Sequence, residues 1–233
     1  MTSTPETTAN FEFSALSAAK NYRRALVQEL SPQLKGRVIE IGAGIGQMTR
    51  EFMALPDISL QSVEPDPAFC AEFRKSLSQQ PLIQGTIQDV SGDWDAIVSV
   101  NVLEHIEKDQ EELVMYYNLL KNKQGTVNIF VPARPELYAP IDKDFGHFRR
   151  YTKKTLSDKL IKAGFTIEKM RYYNFTGYFA WWLKFCLLKA RSFKSRDVVL
   201  YDRAIFPVVH FMETKICPPP WGQSLLVVAR AKK

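Results

Sequence analysis

Cysteine and histidine are scarce here, three of each among 233 residues. Cys70, Cys186 and Cys217 lie far apart without metal-type or redox-type spacing. That excludes a disulfide framework and a zinc ribbon, and it favours a reducing, cytoplasmic setting. No apolar run reaches the roughly 20 residues that cross a bilayer, and no internal repeat is visible. Residues 1–12 are polar and Thr-rich, with no basic segment leading into an apolar one. They read as a disordered tail rather than a signal peptide. Residues 13–233 then form one domain, of ordinary soluble composition at 45% hydrophobic and 24% charged residues.

Acid is also short. The net charge is +6, and the excess concentrates between Lys143 and Arg196, where only Asp144, Asp158 and Glu168 are acidic. Such a stretch suits an anionic membrane surface or an acidic substrate, and a plain solvated lysine-rich face accounts for it equally well. No nucleic-acid module accompanies it, so nucleic acid is not an expected partner.

What the chain does have begins at Val38-Ile39-Glu40-Ile41-Gly42-Ala43-Gly44-Ile45-Gly46. A β-branched run carrying an acid ends in alternating glycines, and a helical pattern follows from Gln47. Glycines there let a strand turn sharply while bare backbone meets a ligand. A dinucleotide fingerprint wants G-x-G-x-x-G, but Gln47 occupies the place of its third glycine. The spacing favours a nucleoside without a diphosphate. An amphipathic helix, Phe13–Leu30, precedes this loop.

Strands at Val38–Ile41, Leu60–Val63, Leu82–Ile87, Ala96–Val100 and Thr126–Val131 alternate with helices at Gln47–Ala54, Pro67–Leu77 and Gln110–Leu120. A helix over Lys153–Ala163 and strands at Phe165–Tyr172 and Leu225–Ala229 complete an α/β pattern, a mostly parallel sheet with helices on both faces. Between the last two strands runs an aromatic, apolar interlude, residues 175–221, read as a helical insertion. Either a lid over the site or a surface for lipid or a partner would explain it.

Glu64, about 20 residues past the glycine loop, is placed to accept both hydroxyls of a ribose. Asp89 can accept from an adenine amino group. Asn101 ends the fourth strand, ahead of Val102-Leu103-Glu104-His105-Ile106. With these in order, the chain resembles the class I S-adenosylmethionine-dependent methyltransferases of the small-molecule branch, over about residues 15–174 and again at Gly222–Leu225. The resemblance implies a Rossmann-like seven-stranded sheet whose last strand runs antiparallel. It implies S-adenosylmethionine as cofactor, with S-adenosylhomocysteine as product. Gly42, Ala43, Gly44 and Gly46 would then make room for the methionine part, with Glu40 beneath the loop. Glu64 and Pro65 would serve the ribose, Asp89 and the Val90 backbone the adenine, and Asn101 the methionine amine. Tyr22 stands where similar proteins close a tyrosine over the donor, and a core tyrosine would fit the same pattern.

The acceptor side gathers after the fifth strand, in Pro132–Tyr138 and Asp142–Tyr151. A similar Gly-His-x-Arg-Arg-Tyr block marks a bacterial methyltransferase subgroup. Such a density of titratable groups on one loop suggests chemistry. His147 is the first candidate base for a hydroxyl acceptor and His105 the second. Tyr138, Asp142, Arg150 and Tyr151 are further catalytic candidates, and Arg149 or Arg150 can fork onto an acceptor carboxylate or phosphate. No metal is expected: the histidines are scattered, and only a weak pair from Glu104 and Asp142 stays open. The reading is methyl transfer to a small apolar, aromatic, lipid-like or natural-product acceptor, with oxygen favoured and nitrogen or carbon open. A nicotinamide-dependent oxidoreductase and a non-catalytic adaptor at a membrane or partner are the alternatives.

Overall fold

A computed structural model describes residues 17–192 and 195–232; the expected tail lies outside them, as does the start of the first helix. Seven strands form one sheet in the order β3-β2-β1-β4-β5-β7-β6. These are β1 (Gly36–Ile41), β2 (Ile58–Glu64), β3 (Leu82–Gln84), β4 (Ala96–Val100), β5 (Thr126–Pro132), β6 (Phe165–Tyr173) and β7 (Ser224–Ala231). The first five strands pair in parallel, and β7 runs antiparallel between β5 and β6. This is the Rossmann-like sheet expected from the sequence.

Both faces are covered because the central strands are buried and apolar at most positions, with Glu40, Ser99 and Asn128 among the buried polar exceptions. Ile39, Ile97, Val127 and Ile129 face one cluster, packed with α4 (Asp109–Leu120) and α6 (Lys153–Ala163). Val38, Ala96, Val98 and Phe130 face the other, under α1 (Lys20–Leu30) and α2 (Gln47–Phe52). Such two-sided burial is what parallel strands demand. Local signals set the ends. Thr152 accepts from the Thr155 amide to start α6, and Gly164 stops it in the left-handed region, at φ 106°. Helix α3 (Pro67–Ser76) starts on Asp66, whose Oδ1 accepts from the Ala68 and Phe69 amides.

The third strand is shorter than its apolar run suggests. It stops at Gln84, because Thr86 and Asp89 cap each other into a one-turn 3-10 helix, Ile87–Asp89. Reciprocal capping satisfies donors that a longer strand would have to pair elsewhere.

The interlude is helical, as expected. Helix α7 (Phe175–Trp181) runs on as a π-helical turn through Leu187. A second helical run combines α8 (Ser195–Leu200), α9 (Phe206–Phe211) and two π-helical segments ending at Ile216. Two buried carboxylates bolt this insertion to the sheet domain. Asp202 accepts the Asn21 and Tyr22 amides, at 3.0 and 2.8 Å, at the start of α1. Glu213 accepts the Asn174 and Phe175 amides at the start of α7. Carboxylates at helix N-termini gain from both the free amides and the helix dipole. No helix among the described residues is long and apolar enough to cross a membrane.

Candidate active site

The sheet order reverses between β1 and β4, and parallel sheets hold ligands beyond the carboxyl ends of their strands at such a point. A cavity of about 280 Å³ lies there. Its walls are the loop after β1 (Gly42, Ala43, Gly44), Glu40 and Glu64 from the strand ends, Val100 at the end of β4 with Asn101 and Val102 beyond it, and His105. Glycine is required at two of these turns. Gly42 has φ 71°, and a Cβ there would sit 2.3 Å from Val102 Cγ2. Gly46, at φ 84°, would press a Cβ to 2.5 Å from Leu77 Cδ1.

Glu64 is buried, its Oε2 accepting the Gly44 amide at 2.8 Å and its Oε1 the Asp66 amide at 2.9 Å. An ionised carboxylate has about four acceptor positions, so both oxygens keep capacity for hydroxyl donors. Burial raises its pKa, and the two amide bonds oppose the rise. Glu40 lies deeper. Its Oε2 accepts from Thr49 at 2.6 Å and Ser62 at 3.0 Å, and burial pushes its carboxyl up to about 7.

A second cavity of about 320 Å³ adjoins the first, since Asn101 and Phe145 line both. Tyr22, Phe130 and Trp181 give it aromatic walls, and Gly177, Ala180, Phe185, Val198 and Tyr201 from the insertion roof it over. His147 and Arg150 supply polar groups from the loop after β5. That loop is built around Asp142, which is fully buried in α5 (Pro140–Asp144). Its Oδ1 accepts from Arg150 Nε at 2.8 Å and lies 3.1 Å from His147 Nδ1, while Oδ2 accepts the Ala139 amide at 2.9 Å. Burial would raise its pKa, but the His147 bond and the Arg150 charge outweigh it and hold the group below the usual carboxylate range. The Arg150 guanidinium also stacks 4.5 Å over Trp181, whose Nε1 donates to the Leu137 carbonyl at 3.0 Å.

The two adjacent arginines part company. Arg149 turns to the other side of the chain, pairing with Asp109 at 2.7 Å and donating to the Glu107 carbonyl. Tyr151 joins Asp109 there at 2.8 Å and lines neither cavity. Tyr138 donates to the His147 carbonyl at 2.6 Å, bracing the loop. Asp89 spends Oδ2 on the Thr86 amide at 2.8 Å and stands outside the first cavity's lining, as do Pro65, Val90 and Gly46. The turn carrying Asp89 is still tied to the site, since the Gly85 amide donates to the Glu64 carbonyl at 3.0 Å. Tyr22 faces the second cavity rather than the first, and burial raises its pKa. Trp182 and Phe179 point outward, whereas Trp181 points in.

Several residues escaped the sequence reading. Gln47, Met48, Phe69 and Phe145 line the first cavity. More notably, Glu104, His105 and His147 converge, their ligand-type atoms all within 4.8 Å of one another. The two imidazoles meet edge to face with centroids 4.6 Å apart. Burial, and then the neighbouring His147, lower the His105 pKa to about 4. Nothing in the linear spacing pairs these rings; Gly146, at φ 83°, turns the loop so that His147 points inward.

The family described as "Methyltransferase domain" matches residues 16–170. No curated protein matches the chain. Solved structures share the fold at low identity. An S-adenosylmethionine-dependent methyltransferase from Mesorhizobium loti is 17% identical, with TM-score 0.58, over 88% of this chain and 95% of that one. The cyclopropane synthase MmaA2 from Mycobacterium tuberculosis is 13% identical, with TM-score 0.59, over 88% and 82%. A TehB-like methyltransferase from Corynebacterium glutamicum is 16% identical, with TM-score 0.59, over 99% and 100%. The family match spans the glycine loop, Glu64, Asn101 and the loop after β5, and the chain belongs to the methyltransferase-domain family.

Proposed function

We propose that the protein transfers the methyl group of S-adenosylmethionine to an oxygen of a small, largely apolar acceptor. The observation that carries this is the pair of cavities meeting at Asn101 and Phe145. The first has bare backbone and a buried carboxylate, as a nucleoside donor needs. The second is aromatic with a few placed polar groups, as an apolar acceptor needs. Methyl transfer asks chiefly that acceptor, methyl and sulfur lie in line, so two pockets sharing one wall supply most of the catalysis by orientation. The sulfonium loses its charge on the way to the transition state, which a dry, aromatic setting favours.

In this reading the Gly42–Gly44 backbone and Asn101 hold the methionine part, Glu64 takes the ribose, and the Asp89–Val90 turn borders the adenine. The acceptor hydroxyl gives up its proton at the wall formed by Glu104, His105 and His147. Arg150 offers it a cation, and Trp181 holds that cation in place.

The insertion supports an acceptor of amphiphilic, lipid-like character. Twelve of the seventeen exposed large apolar side chains among the described residues fall between Phe179 and Trp221. Lys189, Arg191, Arg196, Arg203 and Lys215 stand exposed among them. The acids there are occupied: Asp202 and Glu213 are buried at helix starts, and Asp197 pairs with Lys184. Exposed apolar side chains interleaved with basic ones along the insertion suit an anionic bilayer, at about 1 kcal/mol per basic residue near the surface.

Crystals soaked with S-adenosylhomocysteine test the donor assignment. The sulfur is expected at the Asn101–Phe145 boundary and the ribose on Glu64; density elsewhere would refute it. Sedimentation with phosphatidylglycerol vesicles, but not phosphatidylcholine vesicles, tests the surface. Equal binding to both, or to neither, would count against it.

A further inference from the structure

We propose that Glu104, His105 and His147 bind one divalent transition-metal cation at the wall between the two cavities. The three side chains offer ligand atoms within 4.8 Å of one another, a separation that small rotamer adjustments close around an ion. Two loops deliver them. Glu104 and His105 belong to the 3-10 turn Leu103–His105, and His147 follows Gly146. The Phe148 amide donates to the Glu104 carbonyl at 2.8 Å, which ties the two loops together beside the cluster.

Outside the trio, the surroundings have the form of a metal site. His147 Nδ1 lies 3.1 Å from Asp142 Oδ1, so Nε2 would be its ligand atom toward an ion. Asp142 is itself clamped by Arg150 and the Ala139 amide. A histidine oriented by a carboxylate through its second nitrogen is the usual outer shell of a ligated imidazole. Two imidazoles and one carboxylate suit zinc, manganese, iron or cobalt, whereas magnesium and calcium prefer all-oxygen shells. Three protein ligands leave coordination positions open, as in catalytic rather than structural sites. His105 lines the donor cavity and His147 the acceptor cavity, so those positions face the place where the two substrates meet.

The role of the ion, though not its binding, rests on the methyl-transfer reading. An acceptor hydroxyl bound to the cation would lose its proton to solvent, because a Lewis acid stabilises the oxyanion. The oxygen then forms a bond to the methyl carbon as the sulfur–methyl bond breaks, and that electron pair stays on sulfur. Hydroxyl compound and sulfonium give ether, neutral thioether and one proton.

Cobalt(II) chloride, followed by absorption spectroscopy and equilibrium dialysis, tests the binding. One cobalt per chain is expected, with the spectrum of nitrogen and oxygen ligation. Glu104→Gln and His147→Gln should each weaken it more than tenfold, and Asp142→Asn about 10- to 100-fold. Replacing all three cysteines by serine should leave it unchanged. Wild-type affinity no better than that of His147→Gln, or loss in the serine variant, overturns the proposal. S-adenosylhomocysteine titrations on the same samples read the donor cavity separately. Nucleoside binding without cobalt binding removes the metal and leaves methyl transfer. Cobalt binding without nucleoside binding does the reverse.

Discussion

Replacing Gly42 by alanine should damage the protein through two separable effects. The first is backbone strain: a φ of 71° costs a residue with a Cβ about 1–2 kcal/mol. The second is overlap, since the new methyl would stand 2.3 Å from Val102 Cγ2, which adds about 1–3 kcal/mol of overpacking. Together Gly42→Ala should lose about 2–5 kcal/mol in urea denaturation, and nucleoside binding should fall as the loop shifts. Val102→Ala removes the overlap but not the strain. The double variant should therefore recover about 1–3 kcal/mol relative to additivity, a coupling that a double-mutant cycle isolates. Gly42→Ala within about 0.5 kcal/mol of wild type, or no coupling to Val102→Ala, would refute the geometry on which the first cavity rests.

Three further outcomes follow from the buried acids. Glu40 titrates near 7 in the folded chain against about 4.5 unfolded, so wild-type stability should fall as pH rises through that window. Glu40→Gln should lack this slope and gain roughly 3 kcal/mol on wild type between pH 4 and pH 8, measured by denaturation at each pH. Glu64→Gln keeps one oxygen but turns an amide donor toward the Gly44 or Asp66 amide; calorimetry should show nucleoside affinity lowered about 10- to 150-fold, the worth of one charged hydrogen bond. Asp202→Asn loses one of the two acceptors at the start of α1 and should cost about 1–3 kcal/mol, with hydrogen exchange rising first in the insertion.

Local pattern carried much of the fold. The strand Ala96–Val100 and the helix Lys153–Ala163 fall where their runs and caps place them, because propensity, periodicity and stop signals agree there. The strand beginning at Leu82 ended early because side-chain capping by Thr86 and Asp89 outcompeted an apolar pattern. That the glycine loop and Glu64 would share one cavity was legible for the same reason as the strands: they are close in sequence and joined by neighbouring parallel strands. The second cavity was less so. Adjacent Arg149 and Arg150 look equivalent in sequence, yet one serves Asp109 and the other Asp142. The meeting of Glu104 and His105 with His147 depends on two loops that only tertiary packing brings together.

Titration calorimetry with S-adenosylhomocysteine, with NAD in a parallel cell, asks whether the first cavity holds a nucleoside methyl donor. One nucleoside should bind per chain, NAD should give no heat, and affinity should be sharply reduced in Glu64→Gln. Silence toward S-adenosylhomocysteine and S-adenosylmethionine alike, from a folded sample, would contradict it.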